Sequence, residues 1–412
     1  MTENIRHSFE KGTQQNDAER DALYARLISK RVDPDALLSE LSERRERQID
    51  FVADNRSLEV VPVPEDAREN LTPVNEVDRA GLNAPKVAVV PKAGPDEDWF
   101  RATGPLAVNA HAHNQIAGTT PIGRRYYRHM LDADPELLAF NVNRWFGQAN
   151  GTRRLVRVDS GHVRAWLSDR YLRVSNLDLA ETVIPALREG NGDAWHIQEA
   201  AITDKQMHIR AILPAFEADI NPRVGDVVNL GLTIRNSEVG SGAFVVEASL
   251  FRLVCTNTAI AGGGMRRVHL GAKMKSDFVA HLADETVRAQ DRALMLEARD
   301  VVKTLADRTK FEALVNVAKT GAETELWQPI EATKVLAKTV GLSDGETSAV
   351  EDELIRAGDP TMWGLTNALT AVARDMKDYE RKNDLETKAG GILWSPNAWK
   401  PIVEAQRAEV VA

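Results

Sequence analysis

The sequence predicts an α+β fold: a central antiparallel sheet of about three β-hairpins packed on helices, with helical N- and C-terminal parts. Three observations lead there. Between residues 152 and 255 the pattern becomes strand-like, helix-period segments lie on either side, and turn residues stand at three places where strands would reverse.

Residues 17–54 read as two helices. Asp33 caps a helix that opens with Pro34, and Leu37, Leu38, Leu41, Ile49 and Val52 give it an apolar stripe. From Val60 to Asp98, proline, asparagine and acidic residues dominate, which predicts an extended linker with one short strand at Val87 to Val90. From Pro105 to Gln148 the period is helical in three pieces, the second opening at Thr120-Pro121 and the third at Asp134-Pro135. Next come the hairpins. LVRV and VRAWLS flank Asp159-Ser160-Gly161, WHIQEAAI and MHIRAIL flank Thr203 to Gln206, and VVNLGLTI and AFVVEASLFRLVC flank Gly240-Ser241-Gly242. After the run Gly262 to Gly264 the chain reads as helical, with long helices at Phe278 to Leu305 and Met362 to Asp384. The organisation expected is an acidic helical arm over 1–60, a linker over 61–100, a central basic α+β unit over 101–275 and a helical region over 276–412.

Charge follows the same division. The net charge is −9, distributed as −7 over residues 1–100, +5 over 101–275 and −7 over 276–412. Ahead of Lys273, every basic residue of the centre except Lys205 is arginine, the side chain suited to forked phosphate contacts. The single Cys255 excludes a disulfide framework, and within the apolar strand FRLVC it reads as a buried, inert thiol. No signal-peptide core and no run of eighteen apolar residues occurs, so a cytoplasmic protein that does not span a membrane is expected.

Catalytic signatures are sparse. GGGMRRVHLGAK lacks the spacing of a phosphate-binding loop, and no Gly-x-Ser-x-Gly elbow is present. His111 and His113 have no companions that complete a metal shell, so neither metal nor cofactor is expected.

Two constellations stand out. On one predicted strand His162, Arg164 and Trp166 alternate with Val163, Ala165 and Leu167, and on another His208 and Arg210 alternate with Met207, Ile209 and Ala211. An exposed sheet face of this kind can stack bases and hold phosphates. The other is IAGTTPIGRRYYRHM, helix-turn-helix-like in outline, whose second helix carries Arg124, Arg125 and Arg128 beside Tyr126 and Tyr127. With Arg153, Arg154 and Arg157 these residues make up the expected nucleic-acid surface.

The stretches GTTPIGRRYYRHML, PELLAFNVNRWF, LVRV, VRAWLSDRYLRVSN and GSGAFVVEASLFRLVCTN, and later MWGLTNALTAV, resemble the phage- and plasmid-associated domain-of-unknown-function family 932. The resemblance runs from about Pro105 to His269 and resumes at Met362 to Val372. The family often shows a histidine-glycine pair after the Cys-x-Asn segment, whereas here Leu270 separates His269 from Gly271. The resemblance implies a mobile-element context, with the host cytoplasm as location for a phage-encoded protein, and it supplies no enzymatic activity. The function expected is ATP-independent binding or annealing of single-stranded DNA in recombination or replication. A duplex binder using the Arg124 to Arg128 helix, and an enzyme using His162, Asp169 and Arg170, stay open as alternatives, as does a homo-oligomer.

Overall fold

The structure is a computed structural model that describes residues 31–68, 85–92, 104–149, 151–191, 195–220, 226–253, 257–267 and 284–408, with three single residues nearer the N-terminus. Helix α1 (Pro34–Glu46) starts where expected: the Asp33 side chain accepts the Asp35 N–H at 3.0 Å and Pro34 occupies the first turn. Leu37 and Leu41 are buried, but the helix ends at Arg47 and the chain continues as strand β1 (Gln48–Asp54). Ile49 and Val52 therefore belong to a strand, which corrects the helical reading. β2 (Leu58–Pro62) and β3 (Val87–Pro91) pair antiparallel, so the expected short strand forms and has a partner. β4 (Leu106–Val108) takes residues for which the sequence predicts helix, before α2 (Ala110–Thr119), α3 (Arg124–Ala133) and α4 (Pro135–Gln148). The last begins as predicted, with the Asp134 side chain accepting from the Leu137 N–H and Pro135 in the first turn.

With the hairpin β5 (Arg153–Asp159) and β6 (His162–Ser168), these strands form a sheet in the order β1-β5-β6-β4-β3-β2, in which β4 runs parallel to β6 and the other pairs are antiparallel. β1 and β2 are joined by only Asn55–Ser57 yet occupy opposite edges, so the sheet curls into a half-barrel. Its apolar filling joins Val89, Val156, Val158 and Val163 of the strands to Ile116, Met130, Leu138 and Phe146 of α2, α3 and α4. Asn143 of α4 closes the β2 edge: its amide donates to the Val60 carbonyl and accepts the Val60 N–H, both at 2.8 Å, as a neighbouring strand would.

Helix α5 (Asn176–Asn191), which the sequence pattern does not announce, leads to β7 (His196–Ile202), β8 (Met207–Asp219), β9 (Val227–Asn236), β10 (Phe244–Arg252) and β11 (Asn257–Arg267). These make a five-stranded antiparallel meander in the order β11-β10-β9-β8-β7. All three expected hairpins form, but the first belongs to the half-barrel and the other two to the meander. The single central sheet is thus replaced by two. The run Gly262 to Gly264 lies inside β11 rather than opening the helical region, and Gly264 passes so close to the Val246 carbonyl that a side chain has no room.

The remainder is helical: α6 (Asp284–Leu305), α7 (Arg308–Glu323), α8 (Pro329–Val340), α9 (Asp344–Ala357), α10 (Met362–Arg374), α11 (Tyr379–Leu393) and α12 (Pro396–Ala408). Two helices, α10 and α11, stand where the sequence predicts one long one. The break comes at Asp378, whose carboxylate accepts the N–H groups of Glu380 and Arg381 and so starts a new helix. Cys255 lies outside the described residues, and among those residues no helix is long and apolar enough to cross a membrane.

Candidate functional site

The β5–β6 ladder pairs Val158 with Val163 but Arg157 with Ala165, so Arg164 is the extra residue of a β-bulge. The bulge breaks the strict alternation that the sequence suggests. Val163 and Trp166 now both join the helix-side core, while Ala165 and Leu167 join Leu155, Tyr171 and Val239 in another cluster. Trp166 is 2% exposed and stacks on Phe146, ring centroids 5.3 Å apart and planes within 9°. His162, Arg164 and Arg157 are buried as well. The exposed platform expected of His162, Arg164 and Trp166 is therefore corrected: both faces of β6 are covered.

The buried charges tie the half-barrel to the meander. Arg157 holds Asp50 of β1 with Nε at 2.9 Å and Nη2 at 2.6 Å, and donates from Nη1 to the Glu238 carbonyl at 2.7 Å. Arg164 Nη1 donates to the Glu238 carboxylate at 2.8 Å, and the Asn176 N–H donates to the same carboxylate at 2.8 Å. Burial alone would raise the Glu238 carboxyl, but the Arg164 and Arg157 guanidiniums hold it down at about 2. Tyr171 of the Ser168-Asp169-Arg170-Tyr171 segment donates to the Ser237 carbonyl at 2.6 Å and accepts the Gly240 N–H at 3.1 Å, which fixes the β9–β10 turn against β6.

His208 and Arg210 do share a face of β8, opposite Met207, Ile209 and Ala211, but α11 covers it. Arg210 grips Glu386 through both Nη atoms and donates to Asn383 Oδ1 at 3.0 Å. On the exposed side it meets Glu199 at 3.2 Å, which Lys382 also reaches at 2.7 Å. His208 is fully buried and accepts from Asn383 Nδ2 on its Nδ1 at 2.8 Å. Burial together with Arg210, Arg235 and Lys382 lowers the imidazole to about 3, so it stays neutral. This pair is a packing network that joins sheet to helix, which corrects the second half of the expected platform.

The arginines of α3 behave differently. Tyr127 and Met130 point into the core, leaving Arg124, Arg125, Tyr126, Arg128 and His129 exposed. Tyr126 is 55% exposed and its ring stacks against His129, centroids 6.5 Å apart. Arg128 Nη2 reaches Asn114 Oδ1 of α2 at 3.5 Å, and among the described residues none of the three arginines pairs with a carboxylate. All three line an open cleft of about 980 Å³, whose opposite wall is the end of β6 (Trp166 to Ser168), Tyr171 and the Gly240-Ser241-Gly242 turn. His111 and Gln115 of α2 hold that turn in place, with His111 Nε2 and Gln115 Nε2 at 2.8 and 2.7 Å from the Val239 carbonyl. Gln115 also accepts the Trp166 N–H at 2.7 Å. Gly240, at φ 77°, lies against Leu167 where a side chain would collide.

Arg153 is exposed opposite Asp54, and Arg154 is half-buried, its guanidinium lowered by burial against the pull of Asp169. The trio of the enzyme alternative is not assembled: His162 and Ser168 stand at opposite ends of β6, about 20 Å apart by strand rise. Sequence reasoning missed Gln115, Glu238 and the outward stance of Tyr126. Gln115 and Glu238 had no local signal, because their partners lie 51 and 74 residues away.

A family model described as a domain of unknown function (DUF932) matches residues 165–389, just over half of the chain. No curated protein and no solved structure matches the chain. The matched span opens within β6 and closes within α11, so it takes in the meander and the Arg210 network, while the α3 arginines precede it.

Proposed function

The chain belongs to the DUF932 family, a domain of unknown function, and from its own geometry we propose that it binds single-stranded nucleic acid without ATP, along α3 and the cleft that α3 walls. The supporting observation is the set of exposed arginines, Arg124, Arg125 and Arg128, which line one cleft and have no carboxylate partners among the described residues; the ring of Tyr126 is exposed on another side of the same helix. Arg124 and Arg128 lie one helical turn apart, about 6 Å along the axis, and face the same cleft, so they can hold successive groups of one backbone. Tyr126, exposed on α3 outside the cleft lining, offers a ring to a strand that passes around the helix, the stacking role that burial denies to Trp166. The concave setting favours a single strand over a duplex, because a groove-reading helix must project away from its own protein. Annealing in recombination or replication is the process such a binder would serve.

Fluorescence anisotropy with a labelled oligothymidylate over a salt series tests this. For Arg124→Ala with Arg128→Ala, the slope of log K against log salt should flatten by about 1.4, since each phosphate that an arginine neutralises on a single strand accounts for about 0.7. Tyr126→Ala should weaken binding by about 1–3 kcal/mol and leave the slope alone. Absence of salt-dependent binding by the wild type, or unchanged binding by all variants, overturns the reading; tighter binding to duplex than to single strand transfers it to the helix-turn-helix alternative.

A further inference from the structure

The two walls of the α3 cleft carry different chemistry. Arg124, Arg125 and Arg128 all stand on the α3 wall, and no aspartate or glutamate belongs to the lining. The facing wall, made of the end of β6, Tyr171 and the Gly240-Ser241-Gly242 turn, is uncharged. Trp166, Leu167 and Tyr171 are each at most 7% exposed, so the accessible part of that wall is Ser168, Gly240, Ser241 and Gly242. The imidazole of His111, which also borders the cleft, is held at the Val239 carbonyl.

The turn is fixed from behind. The Gly240 N–H donates to the Tyr171 hydroxyl at 3.1 Å, the Ser241 N–H to Ser237 Oγ at 2.9 Å, and the Ser241 carbonyl accepts from Gln206 Nε2 at 3.2 Å. With its backbone engaged, Ser241 offers its side chain to the cleft. The space of about 980 Å³ matches the about 300–1,000 Å³ of sites that enclose whole small molecules, so it has room for bases as well as phosphates.

A single strand carries its phosphates and its bases on opposite sides of the sugar. A phosphate set against the uncharged wall would lose water and gain no cation, whereas on α3 it meets guanidiniums. We infer that the cleft takes a strand with its phosphates on α3 and its bases turned inward against the Ser168 and Gly240-Ser241-Gly242 wall, which withholds the bound bases from pairing. The strand then pairs only after it leaves the cleft. This rests on the nucleic-acid reading above and adds to it an antagonism between binding and pairing.

The test takes the shortest fluorescent oligothymidylate that both binds the full chain and pairs with oligoadenylate. Anisotropy sets the bound fraction, quencher-labelled oligoadenylate is added, and pairing is followed by loss of fluorescence. With nine-tenths of the oligothymidylate bound, pairing should slow about tenfold, because only the free fraction is competent, and anisotropy should fall as pairing releases the protein. Ser241→Trp, which fills the cleft from the uncharged wall and leaves the arginines in place, should weaken binding several-fold without changing its salt slope. If Ser241→Trp does not fold, the pairing rate of the wild type carries the test. Binding with an unchanged or faster pairing rate, or a folded Ser241→Trp that binds as the wild type does, overturns the inward orientation and leaves the binding reading standing. Absence of binding in the anisotropy series removes both.

Discussion

Replacing Glu238 with glutamine probes the junction of the two sheets. The residue sits in the β9–β10 turn at 5% exposure, with Arg164 and the Asn176 N–H on its carboxylate and Arg157 on its carbonyl. Its carboxyl titrates at about 2 in the folded protein against an ordinary 4.5, because the two guanidiniums outweigh burial. A depressed value means that the carboxylate contributes stability in full above about pH 4.5, and that this contribution is lost as the pH falls toward 2. At about 1.4 kcal/mol per pH unit, the shift corresponds to about 3 kcal/mol. Glutamine can still accept the Asn176 N–H, and Arg157 keeps Asp50, but the buried Arg164 is left without a counter-charge, a change that costs about 3–5 kcal/mol at neutral pH. Urea unfolding of both proteins, followed by tryptophan fluorescence from pH 7 down to pH 3, reads the difference. The gap between them should be widest at pH 7 and close by most of about 3 kcal/mol on acidification. A gap that stays constant with pH would refute the assignment of this ionised carboxylate to the sheet junction.

Trp166→Ala should cost about 3–5 kcal/mol of stability, since the ring is buried on Phe146, while the folded fraction keeps its single-strand affinity; lost affinity with intact stability would return the ring to the interface. Asn143→Leu removes both bonds to Val60 and should destabilise by about 1–3 kcal/mol, with faster hydrogen exchange at the Val60 amide. An unchanged exchange rate would show that the β2 edge is protected by other means. Gly390→Ala would ordinarily gain up to about 1 kcal/mol inside a helix, but here the new methyl runs into the Ile260 carbonyl of β11, so a loss of about 1–3 kcal/mol is expected by denaturant titration. A gain would mean that α11 does not sit tightly on the sheet.

What could be read from the sequence was what local chemistry decides. Asp159-Ser160-Gly161 makes a hairpin turn because Ser160 and Gly161 accept positive φ values of 49° and 81°. Asp33-Pro34 and Asp134-Pro135 start helices because cap and ring act within one turn. The arginines of α3 were also legible as a basic cluster on one short helix, although which of its two tyrosines faces the core was not. What escaped was decided at a distance. Period-two alternation shows which residues share a face but not what covers it, and Arg210 meets Glu386 across 176 residues. The bulge at Arg164 depends on how β5 and β6 slide into register, so Trp166 looked like a face-mate of His162 and Arg164 when it packs with Val163 in the helix-side core. The division of three hairpins between two sheets likewise rests on β4 inserting beside β6, a parallel pairing that no turn residue announces.

The strand order of the half-barrel also governs the timing of its birth. Among the described residues β1 has β5 as its one ladder partner, whose first residue comes about 100 residues later. At about 5–20 residues per second of synthesis, β1 waits about 5–20 s for a partner. Throughout that interval Ile49, Phe51 and Val52 are borne by a nascent chain whose sheet cannot close, whereas the meander can add each strand to the previous one as it emerges. The half-barrel is therefore the part of this protein in which a ribosome pause, or a chaperone held near the exit tunnel, has the most time to act.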